Sequence, residues 1–151
     1  EQIYYLAVSV YGWWTWHRSP HATGSLVSVR FSQVKTMVVT IGITAILSLV
    51  VGVVLTRVHL MLPSIFPEPA SFPYLDAITT IMSLTAMWLL ARKRTENWIY
   101  WIVVDLIGIG LYYVKGVKFV SLLYVVLLVL ATRGLVLWLK AARAQRLRAT
   151  T

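Results

Sequence analysis

The chain contains no cysteine among its 151 residues. That excludes a disulfide scaffold, a cysteine zinc site and thiol catalysis. Acid is almost as scarce, with five Asp and Glu against 14 Lys and Arg. Charged residues together make up 13%, about half of the roughly 25% found in soluble domains. With 59% of the residues apolar, too little polar surface remains to clothe a water-soluble globule. Phosphate-cradling and dinucleotide-binding glycine motifs are missing as well, and no Ser-His-acid set shares one depth. His17 and His21 are spaced i, i+4, but they lie in a basic loop without an acidic partner. The reading is therefore no enzyme, no metal and no cofactor. The length suits one membrane domain.

What is abundant is apolar sequence in five stretches: Gln2 to Trp16, Thr36 to Thr56, Tyr74 to Ala91, Asn97 to Val114 and Phe119 to Leu139. A spanning helix needs about 17–25 residues. Four stretches reach that length, and the first looks cut short at its start. In lipid, only helices or a closed barrel satisfy the backbone. A run such as Val50-Val51-Gly52-Val53-Val54 lacks the alternation of a barrel strand, so helices are expected. The chain opens Glu1-Gln2-Ile3, without Met and already inside an apolar segment. It reads as the C-terminal portion of a longer protein.

The net charge of +9 is a topology signal, not a nucleic-acid one. Arg18, Arg30 and Lys35 lie in the first loop, Arg92, Lys93 and Arg94 in the third, and Lys140, Arg143, Arg146 and Arg148 in the tail. All ten fall on one side of a five-span arrangement, against Arg57, Lys115 and Lys118 on the other. The positive-inside rule places the ten-cation side, with the C-terminus, in the cytoplasm. The second loop holds Pro63, Pro67, Pro69 and Pro73 and reads as an extended outer connection.

At an offset of 122, Gly12 and Trp16 fall on Gly134 and Trp138. Both helices would run in the same direction, as in a parallel repeat. Segment 1–16 is then the last helix of a first repeat. Residues 17–73 form a linker region with one spanning helix, 74–139 a second three-helix repeat, and 140–151 a basic cytoplasmic tail.

Several residues stand out for chemistry. Asn97, Trp101, Asp105 and Tyr112 share a stripe about 80° wide on the fourth helix, poorly suited to face lipid and well suited to a cavity wall. Asp105 lies roughly 13 Å into that helix, and an intramembrane carboxylate is a functional candidate. Arg133, at nearly matching depth on the fifth helix, offers an alternative: a structural ion pair, the reading favoured here, against a ligand-organising role. Asn97 could equally be a helix-start residue. Asp76, Thr80, Ser83 and Met87 share a face of the third helix, and Asp76 also suits the dipole of its first turn. The Trp residues crowd the basic half, as an interfacial belt would place them. Trp13 and Trp16 repeat the Trp-x-x-Trp spacing of Trp98 and Trp101.

The runs Tyr11-Gly12-Trp13-Trp14-Thr15-Trp16, Trp88 to Lys93 and above all Glu96-Asn97-Trp98-Ile99-Tyr100-Trp101-Ile102-Val103-Val104-Asp105 resemble the PnuC family of nicotinamide riboside transporters, within the wider group of Pnu vitamin transporters. The likeness covers the chain apart from the first two loops. It implies an all-α membrane protein, with five transmembrane helices present here of a seven-helix (3+1+3) parallel-repeat fold related to SWEET sugar transporters. It also implies a homotrimer in the inner membrane and passage of nicotinamide riboside by facilitated diffusion, with intracellular phosphorylation trapping it. About two helices of that fold are not in the chain, and Arg133 stands where the family is more often apolar. Under this likeness Trp101 stacks on the cationic ring, with Trp13 and Trp16 as further aromatic contacts. Asn97 and Gln2 supply polar contacts, Asp105 organises the stripe, and Tyr112 and Tyr124 serve as outer contacts. Another vitamin such as thiamine on the same fold, or a non-transporting membrane scaffold, are the competing readings.

Overall fold

The structure, a computed structural model, describes residues 1–18, 29–66 and 68–149. His21, Pro67 and part of the first basic loop, all invoked above, lie outside the described residues. Five helices follow one another: α1 Gln2–Arg18, α2 Val34–Met61, α3 Pro73–Ala91, α4 Asn97–Val114 and α5 Lys118–Ala149. Four of them, α2 to α5, are long and apolar enough to cross a membrane. At 17 residues, α1 sits at the lower limit of about 17–25.

Local chemistry sets the helix ends. Pro73 opens α3, where its missing N–H costs no intrahelical bond. The α3–α4 and α4–α5 turns share one construction. Arg94 N–H donates to the Leu89 carbonyl at 2.9 Å and Lys93 N–H to Leu90 at 2.9 Å. Val117 N–H donates to Tyr112 at 2.9 Å and Gly116 N–H to Tyr113 at 3.1 Å. These paired bonds are Schellman closures. They need a left-handed residue, supplied by Gly116 at φ 77° and, without glycine, by Lys93 at φ 56°.

Two boundaries differ from the hydropathy reading. Helix α2 runs on to Met61, and α5 continues through the basic tail to Ala149. The tail after Leu139 is Ala, Lys, Arg, Gln and Leu up to its last residues, strong helix formers without Gly or Pro. At 1.5 Å per residue α5 is about 48 Å long, against a hydrocarbon core of about 30 Å.

Helix α3 is the hub, touching α1, α2 and α4, while α5 packs on α4. The contacts fix the register. Gly12 meets Ala91, Tyr4 donates its hydroxyl proton to the Leu84 carbonyl at 3.0 Å, and Tyr11 stacks on Trp88, so α1 runs parallel to α3. Thr44 pairs with Thr85 at 3.1 Å and Gly52 lies under Tyr74, so α2 is antiparallel to α3. Gly108 lies under Tyr124 and Gly134 under Trp98, so α5 is antiparallel to α4. Helices α1, α3 and α5 therefore share one direction, as required for the two copies of the sequence echo to run alike. Small residues at these crossings let the helices approach closely, as in membrane bundles, where apolar burial supplies no drive. Large side chains such as Ile43, Ile46 and Leu49 face outward, toward lipid.

At the basic end, residues 29–32 strap the start of α2 to the α3–α4 turn. Arg30 N–H donates to the Lys93 carbonyl and Thr95 N–H to the Arg30 carbonyl. The Glu96 carboxylate accepts the Ser32 N–H at 3.1 and 3.3 Å. The segment just before α2 is thus bound to the α3–α4 turn.

Candidate functional site

The α4–α5 crossing leaves a gap between its two glycine contacts. A cavity of about 290 Å³ opens there, lined by Trp98, Trp101, Asp105, Leu127, Leu130 and Ala131. Its volume is at the low end of ligand pockets, about 300–1,000 Å³. Asp105 is 2% exposed and, among the described residues, is the only charged one lining the cavity.

The expected Asp105–Arg133 pair is not formed. Arg133 is exposed, and among the described residues the salt bridge is Lys115 to Asp76. The glycine contacts explain the correction. They set Arg133 level with Ile99, about 9 Å along the axis from Asp105. Two residues from buried Ala131, Arg133 also points to the other side of α5. Asp105 is therefore a buried carboxylate in the membrane interior without an ion-pair partner, a costly arrangement that makes it a candidate functional residue.

Beyond Asp105, toward the end bearing the proline loop, aromatic rings close over the site. Tyr112 and Tyr124 stack with centroids 5.4 Å apart. Lys115 Nζ lies 5.7 Å from the Tyr112 ring and donates to Asp76 Oδ1 at 2.9 Å. At the basic end Trp138 stands edge-on to Trp98 at 5.5 Å, and Trp16 approaches Trp138 at 6.4 Å. The indole N–H of Trp16 donates to the Ala91 carbonyl at 3.0 Å. Helices α1 and α5 thus meet through Trp16 and Trp138 while their backbones stay apart.

Of the residues singled out in the sequence, Trp101 and Asp105 share the cavity, Tyr112 and Tyr124 meet at one mouth, and Trp16 stands at the other. Asn97 is fully buried at the first position of α4, with its amide on the Arg94 carbonyl and its Oδ1 unpartnered. It has the geometry of a helix-start residue. Gln2 is exposed at the tip of α1. Trp13, 63% exposed, lies with Trp16 and Met87 along a separate groove between α1 and α3. Two participants escaped the sequence reading. Trp98 lines the cavity, and its indole N–H is buried without a partner; the Trp-x-x-Trp spacing was its signal. Lys115, counted only as a loop cation, holds Asp76, and no sequence signal announced that pairing. A larger cavity of about 450 Å³ between α2, α3 and α4 carries Thr44, Ser48, Tyr74 and Tyr100 among apolar side chains, with no carboxylate or cation.

Membrane-length helices around a cavity with one carboxylate at mid-depth and aromatic rings at both ends define a multi-pass membrane protein of the transporter class. The chain belongs to the nicotinamide mononucleotide transporter family, whose sequence model matches residues 1–140. It is 31% identical to the nicotinamide riboside transporter PnuC of Escherichia coli K12 over 163 aligned positions, covering 98% of this chain and 68% of that protein. The PnuC of Shigella flexneri matches to the same degree. The riboflavin/roseoflavin transporter RibM of Streptomyces davaonensis is 30% identical, over 97% of this chain and 66% of its own length. No solved structure matches the chain.

Proposed function

We propose that the protein carries nicotinamide riboside across the membrane along the path between α1, α3, α4 and α5, by facilitated diffusion with phosphorylation in the cytosol retaining the product. The observation that carries this reading is Asp105, an unpaired buried carboxylate beside the Trp101 ring. The substrate is a pyridinium cation with a carboxamide and a sugar. A carboxylate offers it a counter-charge, and an indole face attracts it by a cation–π contact. The same carboxylate repels a phosphomonoester, because like charges at short range in a low dielectric are costly. A nucleoside should therefore pass and its mononucleotide should not, which reconciles the family's name with that of its PnuC members. The unpartnered Trp98 N–H is placed to donate to a substrate oxygen.

The wider assembly belongs to the same proposal. The basic end faces the cytoplasm. Helix α1 closes a first repeat, α2 is the linker, and α3 to α5 form the second repeat of a 3+1+3 fold working as a homotrimer in the inner membrane. Gln2, Trp13 and Asn97 reach substrate only in an arrangement different from the present one. The protein performs no covalent chemistry on its cargo.

A second reading is carriage of a flavin or another vitamin, favoured by the 30% identity to a riboflavin/roseoflavin transporter. Uptake of radiolabelled nicotinamide riboside into proteoliposomes, competed with unlabelled riboside, mononucleotide and riboflavin, separates the two. Competition by riboside alone supports the proposal. No mediated uptake of the riboside, with saturable uptake of radiolabelled riboflavin in its place, replaces it.

A further inference from the structure

An ion pair lies beside the tyrosine pair at the end bearing the proline loop. Lys115 Nζ donates to Asp76 Oδ1 at 2.9 Å and to Oδ2 at 3.2 Å. The same ammonium stands 5.7 Å from the centroid of the Tyr112 ring, within the roughly 6 Å reach of a cation–π contact. A carboxylate and an aromatic ring thus share one cation. The Lys115 and Asp76 side chains are 25% and 30% exposed, so solvent reaches them. Helix α4 repeats this chemistry deeper in. Tyr112 is seven residues past Asp105, two turns and about 10 Å further out on nearly the same face. At the deeper level the carboxylate is Asp105 and the ring is Trp101, both on the cavity wall. Tyr124, stacked on Tyr112 and lying over Gly108, stands between the two levels.

Two structural explanations account for the charges and leave their arrangement unexplained. Asp76 in the first turn of α3 and Lys115 at the C-cap of α4 each complement a helix dipole. Neither effect requires that the two meet, or that they meet beside a tyrosine ring. Bracing of the fold is the second explanation. A pair this exposed holds weakly, so another cation can take the place of the ammonium.

We propose that Asp76 and Tyr112 form an entry site for a pyridinium cation, occupied by the Lys115 ammonium when substrate is absent, a reading that rests on the transport function proposed above. The incoming cation replaces the ammonium at the Asp76 carboxylate and on the Tyr112 ring. It then meets an equivalent pair of groups, Asp105 and Trp101, about 10 Å further in. The exchange also unties α3 from the α4–α5 turn, which Lys115 joins to it. A neutral molecule cannot displace an ammonium from a carboxylate, so the entry site selects for positive charge.

Lys115→Cys empties the entry site and reports on it, in a chain with no other cysteine. Nicotinamide riboside should slow the reaction of this thiol with an impermeant reagent in a saturable way, and the uncharged dihydropyridine form of the riboside should not. The protection should survive Asp105→Asn, which disables the deeper site, and disappear with Asp76→Asn. In proteoliposomes, Lys115→Met should lower the half-saturating riboside concentration about two- to fivefold, the worth of an exposed cation–π contact, because the resident competitor is gone. Asp76→Asn and Tyr112→Leu should raise it by a similar factor, and Lys118→Met should leave it unchanged. A structural brace would shift Lys115→Met and Asp76→Asn in the same direction, and that result overturns the inference. So does protection that is lost with Asp105→Asn, or equal protection by the dihydropyridine form. Absence of riboside uptake by the wild-type protein sinks the transport reading alone, since the labelling is read without transport and decides the site by itself. If Asp76→Asn fails to fold, the direction of the Lys115→Met change and the charge dependence of the protection still decide.

Discussion

Trp16 and Trp138, 122 positions apart in the sequence, face each other with ring centroids 6.4 Å apart. They occupy matching places in the echo between α1 and α5, and these two helices run in the same direction. The contact joins the outermost helices of the bundle at its basic end, where the backbones themselves stay apart. Lys93, in the left-handed position of the α3–α4 turn, lies 5.3 Å from the Trp16 ring centroid. Four elements therefore converge on one aromatic cluster. Between α1 and α5 the contact at this end is therefore made by side chains and not by packed backbones.

Trp101 and Trp88 separate a cavity contact from an interfacial one. Trp101 shares the cavity with Asp105, whereas Trp88 is 41% exposed and stacked on Tyr11. Trp101→Ala should weaken nicotinamide riboside binding by about two- to thirty-fold, the worth of a cation–π contact. Trp88→Ala should leave binding within about twofold. Calorimetric titration of both variants checks this, and equal losses would point to a general folding effect.

Gly108 tests the close approach that frames the cavity. A Cβ there would run into the Tyr124 ring, which cannot retreat while stacked on Tyr112. Gly108→Ala should destabilise the protein by about 1–3 kcal/mol, the usual cost of overpacking. Trimming the ring as well, in Gly108→Ala/Tyr124→Leu, should cost less than the two single changes added together. Gly110, with open space around its Cα, is the control: Gly110→Ala should unfold no earlier than wild type.

Much of this fold was legible because a bilayer simplifies the code. Apolar length, cation placement and proline clustering located the helices and their alternation, and the start of α4 at Asn97 was read to the residue. The end of α5 was not legible from hydropathy. Past Leu139 helix propensity takes over from apolar burial, and hydropathy does not register it. Within the site, helical periodicity put Trp101 and Asp105 on one face. It could not supply the register between α4 and α5, which rests on where two glycines admit two aromatic rings. Without that register Arg133 seemed to match Asp105 in depth, and the true partner of the other membrane acid, Asp76, was a loop lysine.

Topology has a direct measurement, and the absence of native cysteine keeps its background clean. In intact cells an impermeant thiol reagent should label Ser64→Cys, in the proline-bearing loop, and not Gln145→Cys, on the basic extension of α5. Labelling of Gln145→Cys in permeabilised cells alone completes the expected pattern. Labelling of that position from outside would reverse the orientation that the ten-cation end implies.

The roles of Asp105 and Arg133 can be separated by one set of variants. With Arg133 level with Ile99 and turned outward, neither charge compensates the other. Asp105→Asn keeps the shape of the side chain and removes its charge. It should fold with a midpoint at or above that of wild type, since an unpaired buried carboxylate is costly. Its uptake of the cationic riboside should fall at least tenfold, while discrimination against the mononucleotide weakens. Arg133→Leu should leave uptake unchanged and alter stability little, because the arginine already faces outward. In the double variant the two stability changes should add, as expected of sites without shared contacts. A double variant that regains stability lost in both single variants would restore the ion pair. Full uptake by Asp105→Asn would remove the carboxylate from the transport path.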